Sequence, residues 1–393
     1  MNKNRSAKGG SAAGGKKILE GSRAIAETVN NCGVAVVSAY PITPQTHIVE
    51  ELAKIKADGQ GNFEYVRAES EFAAISIVLG AAATGVRTYT ATSAQGLLLM
   101  TEVLFNVAGM RLPVVMTDAN RAISAPINIW NDQQDAMTMR DSGWLMVYGE
   151  TVQETCDLHI LAYKIAEATL IPAMVNLDGF VLTHVVEPVE IEDAKKIKIF
   201  LSAWKPTEIL DVKKPLTLGA FVTPAHYMEI RKELHDDIVA AKKLMTKEMV
   251  NFKKIFGRKL SLCEYGGAKD AGTVIVAMGS VLGTIREAVE THCNASLRNA
   301  GILKITSLRP FPDEEIIKLI GSKKNIIVID KSISLGTEGI LATEIRRVLY
   351  GKSKARITSV IMGLGGRDIT MEMIGKAVEE SKKTKEQVIF IGK

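Results

Sequence analysis

The sequence predicts a two-domain α/β protein built on parallel sheets with helices on both faces. Three observations carry that prediction. Short apolar, β-branched runs alternate with segments of helical period through residues 33–180. The alternation stops over 186–262, where Pro188, Pro206, Pro215 and Pro224 punctuate the chain before a long charged amphipathic stretch at 226–255. It resumes over 272–393. Strands separated by helices require crossover connections, and these bury a parallel sheet on both faces. A chain of 393 residues is long enough for two or three separate cores.

The elements follow in order. GVAVVSAY (33–40) is a short apolar strand ending in a turn, and QTHIVEELAKIKA (45–57) places apolar residues at helical spacing. FEYV (63–66) reads as a strand and SEFAAISIVLGAAATG (70–85) as a small-residue helix stopped by Gly85. RTYTAT (87–92) is a strand, QGLLLMTEVLFNVAGM (95–110) a helix and LPVVMT (112–117) a buried strand. A helix at 153–168 and the strand IPAMVNL (171–177) complete the first domain. In the second, TVIVAMGS (273–280), GILKITS (301–307), NIIVIDKS (325–332) and ARITSVIMGLGG (355–366) read as strands and their turns. The segments 281–292, 313–321 and 339–350 are helices. The resulting division is 1–17 as a disordered basic tail, 18–185 as the first domain, 186–262 as a connector with a long helix, and 263–393 as the second domain.

Charge and composition narrow the function. The net charge is +5, from 49 basic and 44 acidic residues. Lys3, Arg5, Lys8, Lys16 and Lys17 account for the whole excess, since residues 1–17 hold no acid. The remainder is balanced, which argues against a nucleic-acid-binding surface on the folded part. The greasiest segment, 96–116, is broken by Glu102, Asn106 and Arg111, so no membrane span is expected. Cys32, Cys156, Cys263 and Cys293 are far apart, as suits a reducing cytoplasm, and they form no local iron–sulfur or zinc motif. The six histidines are scattered, so no metal site is expected. A GxSxG elbow, HExxH, a P-loop and a strand-to-helix GxGxxG are all absent.

In open parallel sheets, ligands sit beyond the carboxyl ends of the strands. Four loops occupy that position. Tyr40-Pro41-Ile42-Thr43-Pro44 is stiffened by two prolines, and Pro44 is placed to enter the next helix at its first turn. Thr43 there could cap that helix or bind an anion. Arg67–Glu71 offers Ser70 as an N-cap, with Glu71 in the first turn. Glu71 either complements the helix dipole or, set against the apolar run that follows, exchanges a proton with a heterocyclic nitrogen. Thr90–Gln95 is small and hydroxylated, so backbone can approach a ligand. Arg121 follows the strand 112–117, either for a carboxylate or phosphate or in an ordinary salt bridge.

These loops also carry a resemblance. YPITPQT (40–46), ESEFAA (69–74), TATSAQGLLLM (90–100), NRAISAPINIWNDQQD (120–135), DSGW (141–144), LRPFP (308–312), IDKSISLGTEG (329–339) and GLGGRD (363–368) occur in that order. Together they resemble the alpha subunit of the pyruvate:ferredoxin oxidoreductase family, in its separate-subunit form. The likeness spans roughly residues 20–370.

The resemblance implies a pyrimidine-type thiamine diphosphate-binding domain followed by a smaller transketolase C-terminal-like domain. It implies oxidative decarboxylation of pyruvate to acetyl-CoA and carbon dioxide with reduction of ferredoxin, reversible, in anaerobic metabolism. The alternative is the same role toward a branched-chain 2-oxoacid, 2-oxoisovalerate. Glu71 matches the glutamate that bonds the pyrimidine ring nitrogen, and Tyr40, Pro41 and Ile42 fall in the cofactor-binding loop. Thr43 and Arg121 match the pair that holds the substrate carboxylate. The sequence has no Gly-Asp-Gly followed 25–30 residues later by Asn, the usual magnesium–diphosphate motif of thiamine enzymes. The resemblance places that half-site, with Mg2+, on a beta subunit. It places [4Fe-4S] clusters on beta and delta subunits, adds a gamma subunit, and makes coenzyme A a co-substrate. A self-contained thiamine enzyme and a non-catalytic nucleic-acid-binding module are the competing classes.

Overall fold

The computed structural model describes residues 15–206, 208–291 and 295–392. Residues 1–14 of the expected basic tail, and Cys293, lie outside the described residues. Lys17, grouped with that tail by its charge, opens strand β1 (Lys17–Glu20), and its ammonium bonds Glu27 at 3.0 Å. A helix at Gly21–Asn31 follows, which the sequence pattern did not mark.

The first sheet takes strands β2 (Val36–Ala39), β3 (Glu64–Arg67), β4 (Thr88–Thr92), β5 (Val115–Asn120), β6 (Leu145–Tyr148) and β7 (Ala173–Asp178), all parallel to their neighbours. Helices Thr46–Ala57, Glu71–Ala83 and Val152–Thr169 lie close to the extents expected from their periodicity. The expected helix over 95–110 is two pieces, Gln95–Leu99 and Thr101–Gly109, joined at Met100. Strand β8 (Val186–Val189) then turns back to pair antiparallel with β1.

The connector holds helix Pro224–Phe256, with proline in its first turn and Gly257 at φ +80° as its stop. Leu234, Ala241, Met245, Met249, Phe252 and Phe256 recur at helical spacing and are buried. Phe252 and Phe256 stack edgewise on Phe200, with ring centroids 5.6 and 5.7 Å away. Arg258, just past the helix, bonds Asp157 at 2.7 Å and Glu190 at 3.0 Å, which fastens the connector to the first domain.

The second domain runs through β9 (Cys263–Gly267), β10 (Thr273–Ala277), β11 (Ala300–Ile305), β12 (Ser307–Arg309), β13 (Asn325–Asp330), β14 (Arg356–Ile361) and β15 (Val388–Phe390). Six of these make a sheet in the order β15-β14-β13-β10-β11-β9, parallel except for β9. The seventh, β12, leaves its own domain and adds to the first sheet, whose order is β12-β6-β7-β5-β4-β2-β3. It pairs antiparallel with β6. The two domains therefore share a sheet edge, which a division at residue 263 does not convey.

Strand order locates the site. The chain passes from β2 outward to β3, then back across β2 to β4, so the connections diverge between β2 and β4. A crevice opens at the carboxyl ends of strands at such a reversal. The loops after β2, β3 and β4 all end there.

Candidate active site

Glu71 is the first residue of its helix. Ser70 caps that helix as expected, its Oγ accepting from the Ala73 N–H at 3.2 Å. Glu71 is only 7% exposed, yet its carboxylate makes no hydrogen bond to any described residue. A carboxylate this shielded and without a protein donor keeps its lone pairs available to an external partner. The turn after β4 faces it. A Cβ added at Gly96 would come within 2.8 Å of Glu71 Oε1 and 2.5 Å of Thr92 Oγ1. Only glycine leaves both groups where they are. Thr92 Oγ1 and Gln95 Nε2 on that turn are also buried without partners. This set of orphaned polar atoms around one carboxylate fits a polar heterocycle.

Thr43 does not cap a helix. The loop closes on itself through Gln45 N–H to Ile42 O at 2.8 Å, and the helix begins only at Thr46. Its N-cap position is Gln45, whose side chain instead donates to the Ala91 carbonyl. Pro44 therefore lies before the first turn rather than in it. Thr43 is exposed at the crevice, as are Tyr40 and Pro41, while Ile42 is half-buried.

Arg121 reaches that loop directly. Its Nη1 donates to Thr43 O at 2.9 Å and its Nε to Asn128 O at 3.0 Å. Its Nη2 has no partner among the described residues. The side chain is buried at 6% exposure, and desolvation pulls its proton affinity below the ordinary guanidinium value while Asp135 opposes this. A buried guanidinium held by two carbonyls, with one end free, suits an anionic carboxylate. Thr43 and Arg121 thus meet. Glu71 touches neither and lies across the turn 93–96.

Asp135 joins the two sides. It accepts the N–H of Ala94 at 3.0 Å, of Arg121 at 2.8 Å and of Ala136 at 2.8 Å. Ala94 sits at φ +48°, a conformation that non-glycine residues adopt at a cost, and Asp135 holds it there. Asp118 lies beside Asp135, and both are fully buried. Burial, then the neighbouring carboxylate, drives Asp118 well above the ordinary range. Burial raises Asp135 as well, but its backbone donors oppose that.

The second domain completes the floor. Asp178, at the end of β7, accepts from Ser280 N at 2.8 Å and pairs with Lys331 Nζ at 3.2 Å. Lys331 also donates to Asn131. Asp132 accepts Gly365 N–H at 3.0 Å, and Asn128 donates to Gly365 O at 3.0 Å. The carboxyl ends of both sheets therefore face each other across the segment 121–135.

Residues 27–250, more than half the chain, match the family model described as pyruvate flavodoxin/ferredoxin oxidoreductase, thiamine diP-bdg. The chain belongs to the pyruvate:ferredoxin oxidoreductase family. Residues 271–374 match that enzyme's core domain II. Among the family's curated members, pyruvate synthase subunit PorA of Methanosarcina barkeri is 48% identical over 95% of this chain and 94% of its own. That of Methanocaldococcus jannaschii is 46% identical over 96% and 97%. Ketoisovalerate oxidoreductase subunit VorA of Pyrococcus abyssi is 42% identical over 94% of each. The solved 2-oxoglutarate:ferredoxin oxidoreductase of Magnetococcus marinus superposes with TM-score 0.70 at 20% identity. That match covers 93% of this chain but 65% of the neighbour's, and at this identity the likeness establishes the fold.

Sequence reasoning about this family member missed Asp118, Asp135 and Gly96 as separate features. Asp135 sat inside a matched string with nothing local to mark its burial. Gly96 followed a residue run already read as permissive, and only the approach of Glu71 shows what the glycine is for. The convergence of His47 and His184, distant in sequence, had no signal at all. Among the described residues, no helix is long and apolar enough to cross a membrane.

Proposed function

We propose that this chain is the alpha subunit of a pyruvate synthase, a CoA-acylating oxidoreductase that oxidises pyruvate to acetyl-CoA and carbon dioxide and passes electrons to ferredoxin. The observation that carries the reading is the buried, unpartnered Glu71 carboxylate facing Gly96 at the strand-order reversal. Thiamine diphosphate, when bound, supplies the carbanion chemistry that breaks the bond between the 2-oxoacid's carboxylate and carbonyl carbons. Glu71 would hold its pyrimidine ring nitrogen and move a proton at that atom. Tyr40, Pro41 and Ile42 would line the ring. Thr43 and Arg121 would fix the substrate carboxylate, so that the carbonyl is presented in one orientation. Asp135 positions both the Ala94 turn and the Arg121 backbone.

The site is half of one. Exposed Tyr40, Phe72, Leu99 and Trp130 lie on segments that bound the crevice. Apolar side chains left open beside a site suit a docked subunit. In this reading a beta subunit covers them and brings the Mg2+–diphosphate half with [4Fe-4S] clusters, delta carries further clusters to ferredoxin, and gamma completes a cytoplasmic heteromultimer. Coenzyme A enters as co-substrate.

A branched-chain 2-oxoacid is the second reading, favoured by the 42% identity to a ketoisovalerate oxidoreductase subunit. The two pyruvate synthase subunits at 48% and 46% rank above it. Pocket differences of this kind amount to about 1–3 kcal/mol each. The purified complex, assayed with pyruvate, 2-oxoisovalerate and 2-oxoglutarate, should show its highest kcat/KM on pyruvate. A clear preference for 2-oxoisovalerate would replace the first reading by the second.

A further inference from the structure

Behind the Tyr40–Gln45 loop, three side chains of metal-ligating type converge from separate parts of the chain. Glu20 ends β1, His47 is the second residue of helix Thr46–Ala57, and His184 closes the turn after β7. One ligand atom from each lies within 4.8 Å of the other two, and all three residues are half-buried. His47 Nδ1 is 2.6 Å from Glu20 Oε1. The two imidazoles are 4.5 Å apart between centroids and tilted by 39°. His184 Nδ1 is 2.6 Å from Thr183 Oγ1, an oxygen that also accepts the Phe180 N–H at 2.8 Å. A proton on Nδ1 directed at that hydroxyl leaves the Nε2 lone pair of His184 free, the arrangement in which a second hydrogen bond orients a ligand imidazole.

We propose that Glu20, His47 and His184 form a binding site for one divalent transition-metal ion of the zinc and cobalt class, with a fourth coordination position open. Two imidazoles and one carboxylate suit such an ion, whereas magnesium and calcium prefer all-oxygen sets. The required adjustment is small. Ligands of a tetrahedral ion with bonds of about 2.0–2.1 Å lie about 3.3–3.4 Å apart, and half-buried side chains can reach that spacing by rotation.

The site's location gives it a consequence. His47 lies in the first turn of the helix that follows Thr43, and His184 belongs to the turn opened by Gly179. A Cβ at Gly179 would come within 2.5 Å of both Pro44 and the Asn120 carbonyl. An ion here clamps the Thr43 loop to the turn after β7.

The test is titration of the untagged, full-length chain with Zn2+ by calorimetry and with Co2+ by visible absorption. The expected result is one ion per chain, with d–d bands of tetrahedral intensity for Co2+. His184→Ala and His47→Ala should each weaken binding at least tenfold, with unchanged circular dichroism. X-ray absorption of the Zn2+ form should show nitrogen and oxygen ligands at about 2.0–2.1 Å. Absence of stoichiometric binding, or binding equally strong in the double variant His47→Ala/His184→Ala, overturns the proposal.

Discussion

Gly96→Ala is the most discriminating perturbation of the crevice. The added methyl would sit 2.8 Å from both Cγ and Oε1 of Glu71 and 2.5 Å from Thr92 Oγ1. Ordinary contact begins near 3.4 Å. The Glu71 carboxylate must therefore retreat by roughly 0.6 Å, or the turn must shift by as much, at a strain of about 1–3 kcal/mol. Misplacement of a catalytic group by about 1 Å can cost about 100-fold in rate. The variant should lose about 10- to 100-fold in pyruvate-dependent ferredoxin reduction by the assembled complex, with subunit association intact by size-exclusion chromatography. Gly80→Ala is the matched control. It lies in the helix that Glu71 opens, with nothing within 4 Å of the added methyl, so it should keep full activity and gain about 0.5–1 kcal/mol of stability. If Gly96→Ala turned over within twofold of the parent, the close approach of Glu71 to this turn would have no catalytic meaning.

Other expectations follow from the same contacts. Arg121→Lys keeps the charge but loses the fork that bonds Thr43 O and Asn128 O; at about 1.5–3 kcal/mol for hydrogen bonds to charged groups, kcat/KM for the 2-oxoacid should fall about 10- to 100-fold in steady-state assays, chiefly through KM. Lys331→Ala leaves Asp178 buried without its cation, and denaturant titration should show a loss of about 3–5 kcal/mol. Asp330, which accepts the N–H of Leu341 and Ala342, is raised by burial to about 7 from an ordinary value of 3.8. Its contribution to stability is therefore present below about pH 4 and lost as pH rises through 7. The stability of Asp330→Asn relative to the parent, measured by urea titration, should improve from pH 4 to 7 and level off above it.

The fold was legible wherever one strand or helix buried one pattern. Val36–Ala39 and Ala173–Asp178 are rich in apolar residues and Thr88–Thr92 in β-branched and aromatic ones, as suits strands covered on both faces, and Ser70 announced its helix by a cap that needs only local geometry. Of the candidate site, Glu71 and Arg121 stood out in the sequence because they lie in the segments that follow strands β3 and β5. What stayed hidden depends on non-local contact. Strand β12 is three residues beside a proline, and nothing in Ser307–Arg309 says that it leaves its own domain to pair with β6. Strand β6 itself, LMVY, is too short to stand out. Thr43 looked like a cap because Pro44 follows it, but the helix starts two residues later. Asp118 and Asp135 are brought together and desolvated only in the folded chain, which no spacing in the sequence encodes.

The central claim is that Glu71 of this chain moves the proton that activates thiamine diphosphate in a site completed by a partner. Its most direct test is hydrogen–deuterium exchange at the reactive carbon of the bound cofactor, followed by quenched-flow NMR in the assembled complex with Glu71→Gln. General acid–base catalysis contributes about 10²- to 10⁴-fold, so exchange should slow by at least about 100-fold while the complex still forms and retains the cofactor. Exchange at the parent rate would contradict the role assigned to Glu71.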